Sequence, residues 1–248
     1  MGQMMTIAGA DGVEAYLTTP APGVPVLGGV VVIHEAWGLV NHIKDVADRF
    51  AAEGYVAIAP DLLGRVGVGP ELADELQVAL FDPDPAVRSA AQPRLREAMA
   101  PMSDPAFGAA TSDALRRTVD VLLSQPGTGK SAVVVGFCFG GTYSIVLADA
   151  DDRIRAAVAF YGMPPEPSVI RPSRAAILEL AGDQDERLMA MLPGARTAFA
   201  EAGVDYAEHV YSGVGHAFFN DTNENTYDED TAVDAWRRTL EFFRAHPE

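Results

Sequence analysis

The chain has 248 residues, 48% of them hydrophobic and 21% charged, with a formal net charge of −17 at pH 7. This composition excludes extensive disorder and suits a single globular domain, while the negative charge speaks against binding to nucleic acid or to anionic membrane surfaces. The one cysteine cannot form an internal disulfide, the start MGQMMTIAGADG lacks the basic and apolar regions of a secretory signal, and no apolar run is long enough to cross a bilayer. A cytoplasmic protein, monomeric or a small homo-oligomer, is expected.

In chain order, VEAYLTTP (13–20) reads as an early strand at one sheet edge, and GGVVVIH (28–34) as the first core strand. A helix is expected over 42–54 and a strand over GYVAIAP (54–60). Residues 64–106 break the pattern, with Pro and Gly punctuating two weak helical patches, and so form either a lid or a peripheral helical excursion. Regular alternation then resumes. Helices are expected over 107–125, 141–150, 186–203 (interrupted at Pro193) and 231–246, and strands over SAVVVGF (131–137), IRAAVAFYG (154–162), AAILELAG (175–182) and DYAEHVYS (205–212). Several strands lack polar alternation, as expected for strands covered on both faces. The fold class is therefore α/β, one domain over 1–248 with a mostly parallel sheet and helices on both sides.

Two motifs are set aside. GTGKS (127–131) resembles the end of a phosphate-binding loop, but it follows a helix and precedes a strand, and the motif's first glycine would fall on Ser124. DTNENTYDED (221–230) opens like a calcium loop, but Thr226 stands at the obligatory glycine and Ala232 at the final ligand position. The five histidines show no metal spacing, so neither a metal nor a cofactor is expected.

The only cysteine lies in GFCFGG, where a strand ends in G-x-C-x-G and a helix begins. This is the pattern of a nucleophile elbow, whose tight turn needs small neighbours, here Gly136, Gly140 and Gly141. The helix N-terminus beyond it favours the thiolate at Cys138. A base and a group to orient it are then required, and in this fold they follow in the order acid, histidine. Asp183 and Asp185 come just after one expected strand and His216 just after the next. One aspartate serves the turn, and Asp185 is favoured for the site. Trp37, Phe137, Phe139, Tyr143 and Phe218 are candidates to line an apolar pocket, with Trp37 and Phe218 preferred.

The chain resembles the dienelactone hydrolase (carboxymethylenebutenolidase) family of the α/β-hydrolase superfamily. The resemblance rests on VVVIHEAWGL, GYVAIAPDLLGR, GFCFGG, AGDQDE, GHAFFND and AWRRTLEFF, which occur in the family's order. It implies a catalytic triad of Cys138, Asp185 and His216, and the family's G-x-x-D pattern maps onto Gly182 to Asp185. It further implies that Glu35 lies near the nucleophile and that the N–H groups of Ala36 and Phe139 form an oxyanion hole. In the best-known members an arginine four residues after the histidine holds the substrate carboxylate. Here that position is Asn220, expected as a substrate-binding residue beside Trp37 and Phe218, with Arg94 or Arg96 as the candidates for a second arginine. The expected activity is cysteine-dependent hydrolysis of small-molecule lactones or activated esters through a thioester. The competing expectation is a non-hydrolytic protein on the same fold, binding a small molecule or carrying a redox-sensitive thiol at Cys138.

Overall fold

The computed structural model describes residues 2–9 and 12–247. Among them, eight strands form one sheet: β1 (Gln3–Thr6), β2 (Glu14–Thr18), β3 (Gly28–Ile33), β4 (Tyr55–Pro60), β5 (Ala132–Phe137), β6 (Ile154–Phe160), β7 (Ala176–Gly182) and β8 (Tyr206–Tyr211). Their spatial order is β1-β2-β4-β3-β5-β6-β7-β8. The first two pairings, β1 with β2 and β2 with β4, are antiparallel, and every later one is parallel.

Seven helices accompany the described strands: α1 (Asn41–Ala52), α2 (Pro70–Leu80), α3 (Pro85–Met99), α4 (Pro105–Leu123), α5 (Phe139–Ala150), α6 (Glu186–Glu201) and α7 (Glu229–Ala245). Because successive strand side chains point to opposite faces, Val30 and Val32 of β3 join a core with Ile43 and Phe50 of α1 and Leu240 and Phe243 of α7. Val31 and Ile33 instead join a core with Leu115 and Val119 of α4, Ile145 of α5 and Phe199 of α6. The apolar runs without alternation are thus strands between two helical layers.

Two expectations need correction. Glu14–Thr18 is not the edge, because Gln3–Thr6 pairs outside it; those four residues, mostly exposed, carry no alternating pattern to announce a strand. Pro193 does not interrupt its helix either, and α6 runs from Glu186 to Glu201 through it. Tertiary packing of Leu188, Leu192, Ala195 and Phe199 holds the helix against the lost backbone hydrogen bond.

The irregular stretch folds mainly as α2 and α3, which pack on each other. Leu63, Val68 and Phe107 form a small core of their own, against which Met102, Phe139 and Tyr143 pack. The excursion is therefore anchored beside α5, at the ends of β3 and β5 where they turn out of the sheet.

Candidate active site

Cys138 sits between β5 and α5 with φ 55° and ψ −111°, a conformation that costs a non-glycine residue free energy unless its surroundings impose it. They do so by close packing. A Cβ on Gly136 would lie 1.8 Å from the Gly140 carbonyl oxygen, and one on Gly140 would lie 2.2 Å from that of Ile33. The Cys138 N–H donates to the Phe160 carbonyl at 2.9 Å, which ties the turn to β6. The N-terminal end of α5 is directed at this residue, and the Phe139 amide, first of the helix, has no acceptor within it.

The acid and the histidine come from the ends of β7 and β8. Asp185 caps α6 by accepting the Leu188 N–H on Oδ1 at 3.2 Å, which leaves Oδ2 to hold His216 Nδ1 at 2.6 Å. Asp183 serves the neighbouring turn, accepting from the Ser212 hydroxyl and the Gly213 N–H at 2.9 and 2.8 Å. Burial disfavours a charge on His216, but the bond to Asp185 and the adjacent Cys138 outweigh it and push the pKa up to about 10. The ring is an imidazolium at neutral pH. Burial likewise opposes ionisation of Asp185, yet the hydrogen bonds from His216 and Leu188 hold its carboxyl below the usual range.

Glu35 is 2% exposed and clamped on both oxygens, by the Tyr161 hydroxyl at 3.1 Å and by Asn220 Nδ2 at 2.6 Å. The Tyr161 phenol stays protonated, since burial and the nearby Glu35 and Cys138 all push its pKa upward. The Asn220 Oδ1 accepts from the Thr222 N–H and hydroxyl at 3.0 and 2.6 Å, which fixes the amide's orientation. His34 holds the same turn from below: its Nε2 accepts the Leu62 N–H at 3.0 Å, so the ring is neutral and Nδ1 donates to the Glu35 carbonyl at 2.6 Å. Burial lowers the His34 pKa, in keeping with that tautomer.

Of these groups, Glu35, Cys138, His216 and Asn220 border a cavity of about 240 Å³. Glu35, Ala36, Cys138 and His216 lie on its inner side, and Trp37, Leu80, Phe81 and Leu95 supply an apolar wall. Trp37 meets Phe81 edge-on with ring centroids 5.5 Å apart, and Asn225 Nδ2 donates to the Phe81 carbonyl at 2.7 Å. The excursion thus covers the cavity from above, tied both to the turn after β3 and to the loop that carries His216. The turns that carry Ala36 and Phe139 leave neighbouring parallel strands, with Ile33 beside Gly136.

The structure separates four expected residues, Phe218, Asn220, Arg94 and Arg96, from the roles foreseen for them. Phe218 does not line the cavity: it is fully buried, packed on Phe160, Tyr161 and Tyr211. Ala217, at φ 64°, turns the chain inward there, and an aromatic ring at the sheet's end is best buried in the core. Asn220 borders the cavity, but it is fully buried and its amide is held by Glu35 and Thr222, so it stands as a neutral support of Glu35 and not as a cation for a substrate carboxylate. Arg94 pairs with Glu75 at 2.5 Å, and neither Arg94 nor Arg96 lines the cavity. Phe137 is core and stacks near Phe219, whereas Phe139 and Tyr143 pack on the small core under the excursion. Tyr161 escaped the sequence reading, although its place at the end of the strand beside the cysteine strand was a usable signal.

The family model of the dienelactone hydrolase family matches residues 13–247. The chain is 35% identical over 257 residues to "Protein usf" of Aquifex pyrophilus, covering 99% of both chains. It is 30% identical over 256 residues to the "Putative carboxymethylenebutenolidase" of Aquifex aeolicus, again covering 99% of both. The crystal structure of the "Putative Dienelactone Hydrolase" of Klebsiella pneumoniae superimposes with a TM-score of 0.81 at 27% identity, covering 98% of each chain. The sheet order, the elbow and these likenesses agree: the chain belongs to the dienelactone hydrolase family, hydrolases of esters and lactones on the α/β-hydrolase fold.

Proposed function

We propose that this protein hydrolyses lactones or activated esters with Cys138 as nucleophile and a covalent thioester as intermediate. The observation that carries the reading is the strained cysteine facing an imidazolium that Asp185 holds at 2.6 Å. The attacking species in such a pair is the thiolate. The Cys138 sulfur attacks the carbonyl carbon, and the carbonyl π electrons move to its oxygen. The N–H groups of Ala36 and Phe139 hold that oxyanion, each contributing about 3 kcal/mol. As the electrons return, the C–O bond to the leaving group breaks and His216 gives the departing oxygen its proton.

Neutral His216 then takes a proton from water, whose oxygen attacks the thioester. Collapse of this second intermediate releases the acid and restores the thiolate beside the imidazolium. Glu35, clamped by Tyr161 and Asn220, fixes the turn that presents the Ala36 amide. The helices α2 and α3 shelter the site from bulk water, and the chain acts as one catalytic unit.

The test is turnover of p-nitrophenyl acetate and a neutral lactone by wild type, Cys138→Ala and Cys138→Ser, with mass spectrometry of acid-quenched enzyme. Loss of about a thousandfold or more in kcat is expected for Cys138→Ala, and the wild type alone should show an acyl adduct on Cys138. Full activity in Cys138→Ala would overturn the assignment.

A further inference from the structure

The charges around the cavity allow a statement about its substrate, one that rests on the hydrolase reading above. Among the described residues that line the cavity there is no lysine and no arginine. The one cation is His216, already matched by Asp185 at 2.6 Å and by Cys138. Glu35 adds a carboxylate with only neutral hydrogen-bond donors, Tyr161 and Asn220, on its two oxygens.

Of the three arginines on the covering helix α3, two are engaged elsewhere and the third, Arg96, does not line the cavity. Arg88 donates to the carbonyls of Asp82 and Pro83, and Arg94 pairs with Glu75. Arg49 lies over the rings of Phe219 and Trp236. The whole chain carries a formal charge of −17, so its long-range field also repels anions. A substrate carboxylate entering this cavity would be desolvated against Trp37, Leu80, Phe81 and Leu95, near Glu35, with no counter-cation.

We infer that the site selects uncharged acyl compounds, compact neutral lactones or esters, and discriminates against substrates that carry a carboxylate. The cavity's size, about 240 Å³, lies just below the usual range for ligand sites and suits a compact apolar acyl group. Its lining includes the uncharged polar side chain of Gln92, which can meet a neutral polar substituent.

The experiment compares mono-4-nitrophenyl adipate with its methyl ester, which differ in charge at the far end and share the reacting carbonyl. The methyl ester should have a kcat/KM higher by about tenfold or more at low salt, with the ratio shrinking in high salt. Gln92→Arg should raise kcat/KM for the half-acid by about fivefold or more and narrow that ratio. A half-acid cleaved as well as the methyl ester, by a Cys138-dependent activity, would overturn the charge selection and leave the hydrolase reading standing.

If neither ester is cleaved, the hydrolase reading fails and the selection is read from the thiol alone. Cys138 is the only cysteine, so its alkylation by iodoacetamide and iodoacetate can be followed directly. Iodoacetate slower by about tenfold, relative to the ratio for 2-mercaptoethanol, supports the selection. An equal or faster reaction with iodoacetate overturns it.

Discussion

Replacing Glu179 with methionine should stabilise the protein, and more so as the pH rises. Glu179 lies mid-strand in β7, beside Ala159 of β6 and Glu208 of β8, with no solvent exposure. Neither carboxyl oxygen has a hydrogen-bond partner among the described residues. Burial drives its pKa well above the carboxylate range; the Gly162 N–H, facing it outside hydrogen-bond geometry, offsets part of this, and Glu208 and Asp185 add to it. Burial therefore favours the neutral acid in the folded protein. An unsatisfied buried polar group costs about 1–3 kcal/mol, and methionine fills a similar volume without the oxygens.

The linkage adds a pH dependence of known sign. Above about pH 4.3, where an unfolded glutamate ionises, the folded state binds the extra proton, so wild-type stability falls by up to about 1.4 kcal/mol per pH unit. The fall ends where the folded carboxyl itself ionises. Glu179→Met removes this loss, so its advantage should be about 1–2 kcal/mol near pH 4 and clearly larger at pH 7. Urea denaturation of both proteins across that range measures the gap, with a Tm rise of about 2–4 °C for each kcal/mol as a cross-check. A methionine variant no more stable than wild type would mean that the carboxyl is hydrogen-bonded in solution. A gap that does not widen with pH would refute the neutral buried acid.

Two further predictions concern the elbow and the histidine. Since His216 loses its proton as the pH rises through about 10, alkylation of Cys138 in the wild type should depend on an ion pair that persists to that pH. Asp185→Asn removes the charged partner, and the alkaline limb of its alkylation profile should move down by about 1–2 pH units; an unmoved limb would exclude Asp185 as the source of the raised pKa. Gly136→Ala places a Cβ 1.8 Å from the Gly140 carbonyl oxygen, where only backbone could yield. It should cost about 3 kcal/mol or more, or abolish soluble expression. Gly69→Ala, with nothing within 4 Å of its Cβ, serves as the control and should unfold within a degree or two of wild type.

The order of strands and helices, the mostly parallel sheet and the elbow at GFCFGG were legible in the sequence for physical reasons. Strands covered on both faces must be apolar throughout, amphipathic helices must repeat at their own period, and a turn that presses Gly136 on Gly140 can only be built from glycine. These demands are local, so the chain displays them locally. The division of labour between Asp183 and Asp185 was only partly so, because both lie in one loop and their partners, Ser212 and Gly213 for one and His216 for the other, come from the end of the next strand.

Tertiary structure alone decided the rest. Whether Phe218 faces substrate or core depends on one positive φ at Ala217, and a loop has no period from which to read it. Nor could the chain announce that Asn220 would hold Glu35, 185 positions away, or that Tyr161 would take its other oxygen. The same holds for the excursion, whose weak helical patches gave no sign that Phe81 would rest on Trp37 above the cysteine. A cavity's charge and shape are sums over residues brought together from distant segments, and the pairing of Arg94 with Glu75 in place of a substrate is decided only when those segments meet.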